Sequence, residues 1–152
     1  MNSIKVEGNV PLNGSVDLSG SAISASKLII ASLYTVEDVI LDNVPRVGFT
    51  ESEINLIQSL GGTCEWIGDH KLKINTSGVN TYRVPFEIGS KNRASLLAAG
   101  PLLYRFGKAL IPKPVNTAQK THPIDRFIST WEALGFKILE NPEWINIESS
   151  DV

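Results

Sequence analysis

Leu60-Gly61-Gly62, followed by a run that closes on Lys71-Leu72-Lys73-Ile74-Asn75, is answered further on by Leu134-Gly135-Phe136 and then Trp144-Ile145-Asn146-Ile147. A glycine stop followed by a strand hairpin, met twice in one chain, reads as an internal duplication, and a repeat fixes architecture before any single residue is interpreted. The echo extends upstream: Ala25-Ser26 is matched by Ala94-Ser95, and Val39-Ile40-Leu41 by Ala109-Leu110-Ile111, at an offset of about 70 residues. Repeat one is expected over about 15–76 and repeat two over about 82–149, with residues 1–14 an N-terminal strand and turn.

The 152 residues, 42% of them hydrophobic, suffice for one core of ordinary size. A net charge of -2 with 20% charged residues offers neither the basic field that nucleic acid requires nor a polybasic membrane anchor. Small molecules or proteins are the expected partners, with no nucleic acid and no membrane. Cys64 is the single cysteine, so no internal disulfide forms, and it reads as a small packed thiol. No apolar run reaches membrane-spanning length and the N-terminus has no signal-peptide pattern, so the cytoplasm is the expected location.

Strands are expected at Ile4–Glu7 and Ser15–Leu18 around a turn at Asn13-Gly14, then a largely buried helix from Ile23 to Tyr34 and a strand at Val39–Leu41. Thr50-Glu51-Ser52-Glu53 has the spacing of a capping box, in which the Thr50 hydroxyl and Glu53 carboxylate satisfy each other's backbone donors, so a helix is expected to start there. Cys64–Ile67 and Lys71–Asn75 form a hairpin. In the second copy a helix follows Gly89-Ser90 and is expected to kink or restart near Gly100-Pro101, because proline removes a donor and clashes with the preceding turn. A strand at Ala109–Ile111, a polar loop from Pro112 to Lys120, a helix from about Pro123 with Phe127, Trp131 and Leu134 on its buried face, and a last hairpin complete the unit. Each copy therefore reads β-α-β-α-β-β, an α+β class with helices against one face of short sheets.

Asn43-Val44-Pro45, Gln58-Ser59-Leu60-Gly61-Gly62, and above all Arg93-Ala94-Ser95 running into Ala99-Gly100-Pro101-Leu102-Leu103 and Arg105-Phe106-Gly107 carry a resemblance over nearly the whole chain. On these stretches the chain resembles the enolpyruvyl transferases, and within them the branch that acts on UDP-N-acetylglucosamine in peptidoglycan precursor synthesis. That resemblance implies the α/β inside-out barrel of the enolpyruvate transferase fold, built from β-α-β-α-β-β units with helices inside. It also implies transfer of the enolpyruvyl group of phosphoenolpyruvate to a sugar hydroxyl with release of phosphate, without cofactor or metal. Cationic side chains are needed to neutralise phosphate and carboxylate charge in such a cleft.

Residue by residue the match is uneven. A Lys-Asn pair that binds phosphoenolpyruvate and the sugar nucleotide in the family falls on Ala22 and Ile23, and Lys27 lies one turn onward. Gly20-Ser21-Ala22-Ile23-Ser24 also resembles the shikimate-pathway sister enzymes, again without their lysine. Arg93 matches the arginine that contacts substrate anions, a guanidinium suited to bidentate phosphate binding, with a solvated helix-start arginine as the alternative. Thr117 stands where the family has its proton-donating Cys or Asp, and a threonine hydroxyl is a poor general acid. His122 replaces the arginine that clamps the diphosphate, followed by Pro123, Ile124 and Asp125 in place of the segment that borders the uridine; Asp125 also reads as a first-turn carboxylate facing the helix dipole. His70 reads as a solvated turn residue.

Three functions follow. One is an active enolpyruvyl transferase. Another is a catalytically impaired or truncated homologue that binds a nucleotide sugar, and the third is a structural subunit that needs a partner chain. The substituted positions favour the second, and two units of a larger array imply a homo-oligomer or a complementing chain.

Overall fold

The computed structural model describes residues 3–9, 11–115 and 124–149. Helix α1 (Ala22–Ala31) starts at Ser21, whose hydroxyl accepts from the Ser24 amide, and runs into a 3-10 turn, Ser32–Tyr34. Strand β1 (Val39–Leu41), helix α2 (Gly48–Ser59) and the hairpin β2 (Thr63–Gly68) and β3 (Lys71–Asn75) follow. The second half holds α3 (Phe86–Gly89), a 3-10 helix Arg93–Ala98, α4 (Ala99–Phe106), β4 (Lys108–Pro112), α5 (Asp125–Ala133), β5 (Lys137–Glu140) and β6 (Trp144–Glu148). The expected restart is present: the 3-10 helix gives way to α4 at Ala99, which puts Pro101 in a first turn, where its missing N–H has no intrahelical partner to lose.

The strands form two antiparallel three-stranded sheets of identical order, β1-β3-β2 and β4-β6-β5. In each the last strand sits in the middle and alternates half-buried with buried residues, Leu72 and Ile74 in one, Ile145 and Ile147 in the other. Register places Val39 and Cys64 on either side of Ile74, and Ala109 and Ile138 on either side of Ile147. This is period-two burial, one face to the core and one to water. Those faces join Ile29, Ile30, Leu33, Ile57, Leu60 and Leu102 in one continuous cluster. Helix α1 packs on α2 and on the 3-10 helix Arg93–Ala98, so the starts of the two repeated helices lie on neighbouring elements.

Arg105 fastens the halves together. Its Nη1 donates to Thr76 O at 3.0 Å, Thr76 Oγ1 at 2.9 Å and Leu33 O at 3.4 Å, and its Nη2 to Val79 O at 3.5 Å. Asn43 does a similar service for the start of α1. It adopts φ 56° and accepts from the Gly20 amide at 3.0 Å, and a Cβ on residue 20 would lie 1.7 Å from the Asn43 carbonyl oxygen.

Four expectations need correction. Residues 4–7 and 15–18 form no strand: Ile4, Val6, Val16 and Leu18 are each more than 80% exposed, since alternation supplies a face but no ladder partner lies beside it among the described residues. The outer edge of β4 gains an extra pairing from Tyr82–Val84, through Val84 N to Leu110 O and Leu110 N to Tyr82 O. The capping box does not form. Helix α2 begins two residues early at Gly48, Thr50 Oγ1 accepts from the Val47 amide and donates to Pro45 O, and Glu53 turns into the interior. Leu134 is exposed: α5 packs against the core through Phe127 and Trp131, and the Trp131 ring meets Phe136 and Phe127 edge-on. Helix α1 is buried on one face only, through Ala25, Ser26, Ile29 and Ile30, and leaves Ile23 and Leu28 exposed.

Candidate functional site

Ala22 and Ile23 occupy the first turn of α1, Ala22 half-buried and Ile23 64% exposed. A methyl and a sec-butyl group at a helix start supply no charge to an anion. Lys27 is exposed on the next turn. Arg93 opens the 3-10 helix and is exposed. The turn beneath it is tightly made: Asn92 Oδ1 accepts from the Ala94 amide at 2.9 Å, and Ser95 Oγ donates to Asn92 O at 2.8 Å and to Gly89 O at 2.9 Å. Ile124 is half-buried before α5 and Asp125 is exposed on its first residue, where a carboxylate complements the helix dipole. Thr117, His122 and Pro123 lie outside the described residues.

Two of these places are physically linked. Glu53 of α2 is 1% exposed, and its Oε1 accepts from Asn92 Nδ2 at 2.7 Å and from Ser26 Oγ at 3.2 Å. Ser26 stands one turn after Ala22 and Asn92 one residue before Arg93, so a single carboxyl group bridges the two helix starts. Burial pushes the Glu53 carboxyl above its ordinary value, with the hydrogen bonds from Asn92 and Ser26 opposing the shift. A groove of about 400 Å³ opens beside this network, lined by Phe49, Ser52 and Asn55 of α2, Glu87 of α3, and Lys91 and Asn92. Lys91, exposed, and Arg93 therefore flank Asn92 with two cations.

Lys91, Asn92 and Glu53 were not legible as members of this cluster. An Asn before Arg93 carries the signal of an N-cap. Nothing in the spacing tells that its amide reaches α2. Cys64 packs half-buried on β2, where burial and, after it, the nearby Glu51 charge push its thiol up to about 12. His70 is an exposed turn residue as expected, with its Nδ1 lying 3.2 Å from Val44 O while its carbonyl accepts from the Val44 amide. No helix among the described residues is long and apolar enough to cross a membrane.

Residues 6–148 match the family model described as EPSP synthase (3-phosphoshikimate 1-carboxyvinyltransferase). A UDP-N-acetylglucosamine 1-carboxyvinyltransferase of Campylobacter hominis is 36% identical over 138 residues, 91% of this chain and 33% of that protein. A second, from Caldanaerobacter subterraneus, is 34% identical over 149 residues, 98% of this chain and 36% of that protein. The chain thus spans about a third of the length of the curated relatives it matches. Among solved structures, the enolpyruvyl transferase NikO from Streptomyces tendae superposes with a TM-score of 0.76 at 18% identity, over 94% of this chain and 31% of that one, a likeness of fold.

Proposed function

The chain belongs to the EPSP synthase family, and from that membership we propose that it acts as a nucleotide-sugar-binding unit of the UDP-N-acetylglucosamine branch and performs no enolpyruvyl transfer by itself. One observation carries the reading: Arg93 stands on a turn fixed by the Asn92 side chain and the Ser95 hydroxyl, while Ala22 and Ile23 leave the helix start linked to it through Glu53 without charge. A guanidinium carried on this turn suits a diphosphate, to which it offers two parallel hydrogen bonds. Transfer also requires a proton donor and cations around phosphoenolpyruvate. Thr117, at the position the resemblance assigns to the proton donor, is poorly suited to that task, and Ala22, at the position it assigns to the phosphoenolpyruvate lysine, carries no charge.

The division into units at about 15–76 and 82–149, and a cytoplasmic setting, belong to the same proposal. So does a partner, either a second copy or a complementing chain. Ile23 and Leu28 on α1 and Leu97 and Tyr104 on the 3-10 helix and α4 leave apolar surface uncovered, and such surface normally associates.

Titration calorimetry with UDP-N-acetylglucosamine tests binding, beside a phosphate-release assay with phosphoenolpyruvate present. Heat without phosphate release supports the proposal, and Arg93→Ala should abolish the heat. Phosphate release by the chain alone contradicts it. Silence in both assays would favour the alternative of a structural subunit, for which the uncovered apolar surface is the specific observation. A monodisperse monomer on size exclusion at high concentration would then remove that alternative.

A further inference from the structure

A carboxyl group at 1% exposure is costly to keep, since desolvation is repaid only by full hydrogen bonding, and an apolar side chain would fill the same space at least as favourably. Glu53 sits on the inward side of α2, whose other buried residues are Thr50, Ile54, Leu56 and Ile57. Its contribution must therefore lie in what it holds. Both of its donors come from other elements: Ser26 from α1 and Asn92 from the loop ahead of the 3-10 helix.

The Asn92 amide is a two-ended connector. Its nitrogen donates to Glu53 at 2.7 Å and its oxygen accepts from Ala94 N at 2.9 Å, so orienting one end orients the other. Remove the Glu53 oxygen and the amide loses the contact that selects its rotamer, leaving the Ala94 donor to compete for solvent. Arg93 lies between the two bonded residues, so these bonds constrain the backbone from which its side chain departs.

We infer that Glu53 is a positioning residue for the anion site, acting through Asn92 to lock the Arg93 turn against the start of α1. This rests on the reading of Arg93 as the anion-binding group. Burial favours the protonated carboxyl, which a glutamine mimics in shape and in the acceptor it offers. The isosteric variant therefore separates positioning from charge.

Amide hydrogen exchange followed by NMR on the whole chain, paired with titration of UDP-N-acetylglucosamine, tests this. In Glu53→Ala the Ala94 amide should exchange at least about 10-fold faster, beyond any change at the Ile145 and Ile147 amides of β6, while Glu53→Gln keeps protection within about 2-fold. Affinity should fall at least about 5-fold in Glu53→Ala and recover in Glu53→Gln. Unchanged Ala94 protection in Glu53→Ala, or a Glu53→Gln variant that behaves like Glu53→Ala, overturns the inference. If Glu53→Ala does not fold, Asn92→Ser keeps a capping hydroxyl for Ala94 but is too short to reach Glu53. It should lose affinity as Glu53→Ala would, and parental affinity in that variant overturns the inference. If the parent itself fails to bind the nucleotide sugar, the reading of Arg93 falls, while the exchange pattern still decides whether Glu53 fixes the turn.

Discussion

Replacing Arg105 with methionine removes the fastening between the halves of the chain while keeping most of the side chain's apolar length. Of the four hydrogen bonds from its guanidinium, those to Thr76 O and Oγ1, at 3.0 and 2.9 Å, have full strength; those to Leu33 O and Val79 O, at 3.4 and 3.5 Å, contribute little. Thr76 is 1% exposed, so its carbonyl is left without water to replace the lost donor. A charged hydrogen bond contributes about 1.5–3 kcal/mol and a stranded buried acceptor costs a comparable amount, the two overlapping here because they describe one contact. Arg105→Met should therefore destabilise by about 2–3 kcal/mol, or lower Tm by roughly 5–10 °C for a chain of this size. Arg105→Lys, with one ammonium unable to span Thr76 and Val79, should lose about half as much. Urea denaturation at constant m-value measures both. A loss under about 0.5 kcal/mol in Arg105→Met would refute the view that this side chain joins the halves.

Three further outcomes are expected. Because folding raises the Glu53 carboxyl above 4.5, the folded chain holds a proton the unfolded chain has released; stability from this group is full below about 4.5 and falls as pH rises through the folded value. The urea midpoint of Glu53→Gln should accordingly gain on the parent between pH 5 and pH 8, and a constant difference would contradict the shift. With its thiol near 12, Cys64 holds a thiolate fraction on the order of 10⁻⁴ at pH 8, so a disulfide reagent should label it at least roughly 100-fold faster in urea-unfolded chain than in folded chain. Gly20→Ala places a methyl group 1.7 Å from the Asn43 carbonyl oxygen and should cost about 2 kcal/mol or more, with NMR shifts concentrated at Ala22 and Ile23; a cost below about 0.5 kcal/mol would mean that the α1 start is not held by Asn43.

Much of the fold is legible because local chemistry and tertiary structure agree. Lys71–Asn75 and Trp144–Glu148 alternate in sequence and in burial, and Gly61 and Gly135 adopt the left-handed φ of 102° and 87° that a helix stop requires. What escaped needed a partner the sequence does not name. Val16 and Leu18 alternate as a strand should, yet nothing among the described residues offers them a ladder. Thr50 and Glu53 have capping-box spacing, but Glu53 finds Asn92 and Ser26, which no local pattern announces. The same division runs through the family motifs. Asn43 and Arg105 prove to be fastening residues and Gly61 a helix stop with no room for a side chain, so these motif residues serve the fold even where Ala22 and Ile23 depart from the pattern. Arg93 was legible as a site residue from its motif, while Lys91, Asn92 and Glu53 emerge only from geometry.

Phosphorus NMR of the chain mixed with UDP-N-acetylglucosamine and phosphoenolpyruvate tests the central claim most directly, because one spectrum reports both binding and turnover. The account predicts that the diphosphate resonances shift or broaden in the presence of the chain, that Arg93→Ala restores them to their free positions, and that no inorganic phosphate grows in with time. Accumulating inorganic phosphate, or diphosphate resonances indifferent to the chain, would contradict it.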